Sequence, residues 1–247
     1  MGLVSSALAA RNDESTTASP AQLQAYKSIV GAMLYCATHT RPDIAYPVGL
    51  LCRCMACPTA DLAQAAQHVL RYLERHDNLG LTYASSPAGL SGSSAADWAP
   101  EQSTLGWCFK YTTAVVSWGS KKQKTIALSR SDATIMSASE ASKEAVYLES
   151  LLSELDATDD APIKVDVSDV EVSSTSSAPP PSNTDASKHI QRRHLWMHEL
   201  QENSARLPVR QQHRQPGQLP HRAPLHARLH VHAQPRHYVG SRAPSGH

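Results

Sequence analysis

The chain has 247 residues, 41% of them hydrophobic and 5% aromatic with a single Phe109, and a formal net charge of +1. That is apolar content enough for one large or two small cores, but no run of about 18 apolar residues is present to span a membrane, and no basic segment followed by an apolar one marks a secretory leader. The neutral total hides an asymmetry: residues 205–247 contain seven Arg and seven His but no Asp, Glu or Lys, which leaves residues 1–204 with a net of −6 and predicts an acidic folded body joined to a basic tail.

In chain order, residues 1–23 form an Ala/Ser/Thr-rich lead-in, with Pro20 at its helical boundary. Tyr26, Ile29, Val30, Met33 and Cys36 then recur at helical spacing. Thr40-Arg-Pro-Asp predicts a second helix with Thr40 as its cap and Pro42 in its first turn, continued by Ile44, Val48, Leu51 and Met55. Pro47 is expected to strain that helix. Pro58-Thr-Ala-Asp opens a third helix in the same manner, with Leu62, Ala66, Val69, Leu70 and Leu73 on its buried face. Leu79–Tyr83 reads as a short strand. Residues 24–83 therefore predict a small three-helix subdomain, and the Ser/Gly/Ala/Pro-rich stretch 84–92 a linker.

Residues 93–204 switch to strand patterns. Leu105–Tyr111 alternates, Ala114–Trp118 is apolar and β-branched, and Lys124–Leu128 makes a third strand. A long helix from about Ser131 to Leu155 carries Ala138, Ala141, Ala145, Leu148 and Leu152 on one side, and Ile163–Val167 is a further strand. The order β-β-β-α-β-α indicates an α/β layered domain with one mixed sheet. Ser173–Ser187 is Ser/Pro/Thr-rich and expected to be flexible. The Arg/His/Gln/Pro-rich residues 205–247 have no apolar period and are expected to be disordered; their abrupt start is that of a gene read out of frame.

Five cysteines make an odd set, and Cys52, Cys54 and Cys57 crowd into one apolar run. A structural zinc site needs four ligands, and helical spacing scatters these three around the axis. Buried free thiols are the expectation, which suits a reducing, intracellular setting.

Three segments carry a more specific signal. They are Tyr26-Lys-Ser-Ile-Val-Gly-Ala-Met-Leu-Tyr35 with Thr40-Arg-Pro-Asp-Ile-Ala-Tyr46, then Ala96-Asp-Trp-Ala99, then Ser117-Trp-Gly-Ser-Lys-Lys-Gln-Lys-Thr-Ile-Ala-Leu-Ser129. In this order and at this spacing the chain resembles the C-terminal part of copia-type LTR-retrotransposon polyproteins, where the end of the reverse transcriptase precedes a ribonuclease H domain. The resemblance implies a ribonuclease H-like mixed sheet over residues 93–204, preceded by the terminal helical part of the polymerase without its catalytic core. It also implies RNA–DNA hybrid or other nucleic acid as partner, with no membrane and no small-molecule cofactor.

Ribonuclease H chemistry uses two Mg²⁺ ions about 4 Å apart, held by several carboxylates that converge on one point. By the resemblance, the first-strand Asp falls on Ala95, with Asp97 remaining two residues on. The helix Glu falls on Asp132, a methylene shorter, and a following acid on Thr134. The later-strand Asp falls on Ser168, beside Asp169; a slip of one residue would restore that acid but turn it to the other sheet face. The last acid, after Lys188-His-Ile190, falls on Gln191. Asp97, Asp132 and Asp169 are thus the vestigial catalytic and metal candidates. The count predicts a degenerate fragment without hydrolase activity, against an active Mg²⁺-dependent enzyme using those three in altered geometry, or a non-catalytic nucleic-acid-binding module.

Lys121, Lys122 and Lys124, beside Trp118, could follow a nucleic-acid backbone or form a solvated turn; both readings stand. Arg41 is expected to pair with Asp43 and stabilise its turn. Asp159-Asp160 reads as a solvated acidic loop.

Overall fold

The computed structural model describes residues 19–99, 103–157, 163–167, 192–193, 195–196, 209–211 and 234–235. Asp159-Asp160, Asp169, Gln191, the stretch 173–187 expected to be flexible, most of the lead-in and most of the tail lie outside these residues.

Helix α1 (Pro20–His39) starts further upstream than the apolar stripe alone marks. Ser19 Oγ accepts from the Gln22 N–H and Gln22 Oε1 accepts from the Ser19 N–H at 2.9 Å, a reciprocal capping box with Pro20 at the first helical position. Tyr26, Val30, Met33 and Ala37 form its buried face. Thr40 closes this helix and does not cap the next: its N–H, like that of Arg41, returns to Cys36 O. Pro42–Ile44 then makes a single 3₁₀ turn whose preceding residue gives no side-chain cap, and α2 (Ala45–Cys52) follows. Pro47 is buried in the first turn of α2, where a backbone N–H has no intrahelical acceptor, so the expected strain is avoided. Thr59 caps α3 (Ala60–Arg75) by accepting from the Leu62 N–H at 3.3 Å. These helices share one core of Tyr26, Val30, Met33, Ile44, Val48, Leu51, Leu62 and Val69, with Leu70 and Leu73 partly covered. The Tyr26 phenol, held above its usual range by burial, donates to Leu51 O at 2.9 Å.

The expected strand at 79–83 shrinks to β1 (Leu79–Gly80), paired antiparallel with β7 (Gln234–Pro235). Beyond it the chain is held by side chains: Tyr83 donates to Val115 O, and the Thr113 hydroxyl to Thr82 O.

The main sheet has the order β4-β3-β2-β5-β6. Strands β2 (Leu90–Asp97), β3 (Thr104–Tyr111) and β4 (Ala114–Lys122) form an antiparallel meander. Strand β5 (Lys164–Val167) runs parallel to β2, and β6 (Val209–Gln211) parallel to β5. Helix α4 (Arg130–Glu154) connects the meander to β5 and covers one sheet face. This is a mixed α/β sheet with a helix across one face, the layer arrangement that the resemblance implies.

Three expectations need correction. The linker assigned to 84–92 gives up Leu90, Ser91 and Gly92 to the first strand; its small residues hid a strand because a Cβ at 92 would run into the Phe109 ring. Lys124–Leu128 is no strand, because Gln123 turns inward and ends β4, leaving Ile126 and Leu128 60% and 67% exposed. Within the stretch expected to be disordered, β6 and β7 each gain order from an open strand edge, which needs backbone hydrogen bonds rather than an apolar face.

All five cysteines are free; Cys54 and Cys108 are buried, but Cys57 is exposed rather than buried as expected. Burial pushes the Cys108 thiol up to about 12, against the pull of Lys110.

Candidate functional site

The pleat of β2 decides where each candidate can act. Leu90, Ser94 and Ala96 lie on the side of α4: Leu90 packs in the cluster of Phe109, Ala141 and Ala145, Ser94 meets Ser137, and Ala96 packs against Ala127, Ala133 and Met136. Ser93, Ala95 and Asp97 lie on the opposite face, in register with Cys108, Gly106 and Thr104. That second face is where the helical unit docks.

Four contacts define the docking. Tyr46, 8% exposed, donates its hydroxyl to Asp97 Oδ2 at 3.1 Å. Arg53 donates from Nη2 to Thr104 Oγ1 at 3.0 Å, directly across the strand pair from Asp97. Trp118 Nε1–H donates to Ala37 O at 2.6 Å. The strand backbone passes close to Gly49, where an added Cβ would lie 3.6 Å from Ser120 O, in ordinary van der Waals contact. Burial draws the Arg53 guanidinium below its ordinary range, while Tyr46, Cys54 and the Asp97 carboxylate act in the other direction.

Ala95 offers no side-chain oxygen and is 9% exposed. Its carbonyl accepts from the Ser137 hydroxyl at 2.7 Å, and Ser137 Oγ lies 2.8 Å from Ser94 Oγ, so the Ser94 hydroxyl supplies the second proton of this buried pair. Asp97 is exposed apart from its bond to Tyr46. Asp132 belongs to the element on the other sheet face. It stands in the first turn of α4, where Ser129 Oγ accepts from its N–H at 3.1 Å and its charge favours the helix N-terminus. Thr134 is buried and its hydroxyl bonds back to Arg130 O. Among the described residues no three His, Cys, Asp or Glu side chains gather as a metal site. Among the described residues, Asp97 and Asp132 stand on opposite sides of the sheet and do not by themselves make a two-Mg²⁺ centre; Asp169 lies outside the described residues.

The basic run divides. Lys121 Nζ sits over the Trp107 ring at 4.8 Å, Lys122 and Lys124 are exposed, and Gln123 between them is fully buried. Gln123 donates from Nε2 to Ala133 O at 2.9 Å and from its backbone N–H to Ser103 O, pinning the start of α4 to the sheet. Trp118 packs with Cys108, Val115, Ala45 and Leu81, so its ring lies in the junction between units. Trp98, 43% exposed, donates its Nε1–H to Ala127 O in the segment that follows the lysines.

Tyr46, Arg53 and Gln123 were missed by sequence reasoning. A neutral amide inside Lys-Lys-Gln-Lys was the one available signal for Gln123; Tyr46 stood at the end of the Thr-Arg-Pro-Asp-Ile-Ala-Tyr segment but had no role assigned, and Arg53 read only as a helix residue.

No family model matches the chain. The chain is 44% identical over 128 residues to secreted RxLR effector protein 161 of Plasmopara viticola, covering 50% of this chain and 90% of the effector. It is 36% identical over 134 residues to the retrovirus-related Pol polyprotein from transposon TNT 1-94 of Nicotiana tabacum, covering 53% of this chain and 10% of the polyprotein. The Pol polyprotein from transposon RE1 of Arabidopsis thaliana is 38% identical over 135 residues, with 53% of this chain and 9% of the polyprotein covered. The chain thus spans most of the effector but only about a tenth of the plant polyproteins. A foamy viral protease-reverse transcriptase solved with dsDNA aligns over 88% of this chain and 42% of its own, at 12% identity and a TM-score of 0.46.

Proposed function

Since the chain belongs to the copia-type LTR-retrotransposon polyprotein family and corresponds to its C-terminal part, we propose that it is a decayed reverse-transcriptase/ribonuclease H fragment that no longer hydrolyses RNA in RNA–DNA hybrids. The observation that carries this reading is Ala95. The strand position that the resemblance assigns to a metal-bridging carboxylate holds a buried methyl group, and phosphodiester hydrolysis by two metals depends on carboxylates that meet at one point. Asp132 supports the same reading from its own side: at the N-terminus of α4 it has a helix-stabilising task that requires no metal.

The test is hydrolysis of an end-labelled RNA–DNA hybrid in Mg²⁺ or Mn²⁺ by the purified chain and its Asp132→Ala variant. Equal, background-level cleavage by both is expected; cleavage by the parent that the variant loses would overturn the proposal.

A second reading, retained binding of nucleic acid without chemistry, is favoured by the exposed Lys122 and Lys124 and the exposed Trp98. Uncut hybrid from the same assay serves as its probe. On this reading log Kd rises with log salt, and Lys122→Ala with Lys124→Ala flattens the slope by about two phosphate contacts.

A further inference from the structure

The end of β2 where a cation would have to bind already has one, and the helical unit supplies it. We propose that Tyr46 and Arg53 convert the former metal face of the sheet into a fixed docking seam, in which Asp97 and Thr104 anchor the reverse-transcriptase-derived helices and a carboxylate restored at position 95 would be neutralised by Arg53 instead of by Mg²⁺. The inference rests on the family reading of Ala95, but adds that the site is occupied by packing as well as lacking an acid.

Three independent features converge on it. First, the pleat sends Ala95 and Asp97 to the same face as Thr104, Cys108 and Trp118, and the contacts of Tyr46, Arg53 and Ala37 O with the sheet all use that face. Second, Asp97 Oδ2, an oxygen that would ligate a metal, accepts from Tyr46 Oη–H, and Tyr46 is itself buried in the helical core. A metal claiming that oxygen has to break this bond. Third, the Arg53 guanidinium is partly buried and fixed by Thr104, the cross-strand partner of Asp97, so that a full positive charge is held beside the strand end. A divalent cation entering there meets that charge in a setting poorer in water than the open surface, where repulsion is less screened.

The seam also explains why a small residue is tolerated at 95. The position is 9% exposed, and a carboxylate without a metal would be costly there unless a cation pairs with it. Arg53 is the cation within the seam.

The experiment uses the full chain and needs no nucleic acid, so its outcome is separable from that of the hydrolysis assay. Thermal unfolding is followed with and without millimolar Mg²⁺ or Mn²⁺ for the parent, Ala95→Asp, and Ala95→Asp combined with Arg53→Met. Ala95→Asp alone is expected to show no metal-dependent rise in Tm, whereas the double variant gains one. A saturable metal-dependent rise in Ala95→Asp alone overturns the proposal. Should Ala95→Asp fail to fold, Arg53→Met and Tyr46→Phe in the parent background carry the test. Each is expected to lower Tm and to increase protease cleavage between residues 81 and 89, which join the two units; unchanged melting and cleavage in both variants would sink the seam.

Discussion

At the scale of single residues, the most tightly built site in the molecule is Arg41–Asp43, and its role is structural. Arg41 donates from Nε and Nη2 to the two Asp43 oxygens, at 3.0 and 2.7 Å, and from Nη1 to His76 O. Tyr72 donates its hydroxyl to Asp43 Oδ2 at 2.9 Å, and its ring lies under the guanidinium. The Asp43 side chain is wholly buried. Burial alone would push its carboxyl up, but the Arg41 hydrogen bonds and charge, aided by Tyr72, hold it below its ordinary value of 3.8. A depressed carboxyl stabilises the fold above its unfolded-state value, and the contribution is lost as pH falls through the lower folded value. Asp43→Asn should therefore destabilise at pH 7 by about 3 kcal/mol, since it strands a buried guanidinium. The gap between parent and variant should narrow below about pH 4, as measured by urea unfolding across pH. Thr-Arg-Pro-Asp was legible in the sequence as a local pair; Tyr72 and His76 were not, because they arrive from α3 some thirty residues later.

At the scale of elements, caps follow local rules, yet only Thr59 was read from the sequence: Thr40 closes a helix instead of opening one, and Ser19 and Ser129 were not anticipated. Ser19, Thr59 and Ser129 each cap the helix that begins after them, because a side-chain oxygen beside an orphan N–H is a purely local arrangement. Helix α4 also ends by a local rule. The Ala157 N–H returns to Leu152 O and the Asp156 N–H to Ser153 O, with Asp156 left-handed at φ 51°. A side chain in that conformation is strained, and its negative charge faces the negative end of the helix. Asp156→Gly should accordingly stabilise the chain by about 1 kcal/mol in denaturant titration; destabilisation would contradict the strain. Strand β2 escaped notice for the opposite reason. Its Leu-Ser-Gly-Ser-Ser-Ala-Ala-Asp run looks like a linker, and it is a strand only because Phe109, Ser137 and β5 press against it.

At the scale of the whole molecule, the junction between helical unit and sheet sets what the remaining acids can do. Trp118 is its clearest member: the Ala37 carbonyl lies in the last turn of α1, where helix carbonyls lack internal partners, and the Trp118 Nε1–H fills that need from a strand eighty residues away. Trp118→Phe keeps the ring in its apolar cluster but removes the donor, and should cost about 1 kcal/mol of stability. Hydrogen exchange should speed up at the end of α1, while hybrid affinity stays as in the parent if Trp118 acts only in the junction. A parallel loss of affinity would return Trp118 to the nucleic-acid surface.

The sequence alone determined the helices, Thr59 as a cap, the strand-helix-strand order from Leu105 to Val167 and the family, because these follow from local periodicity and from motif residues at fixed spacing. By the resemblance it also puts Ala95 where the family carries an acid, a reading that needs only residue identity. Only the tertiary structure decided which side chains share a face. Alternation in a strand sends neighbours to opposite sides, so Asp97 joined Tyr46 and Arg53 across the seam while Asp132 stayed with the helix on the far face. Charges distant in sequence meet only when packing brings their elements together, and here packing gave Asp97 to the helical unit.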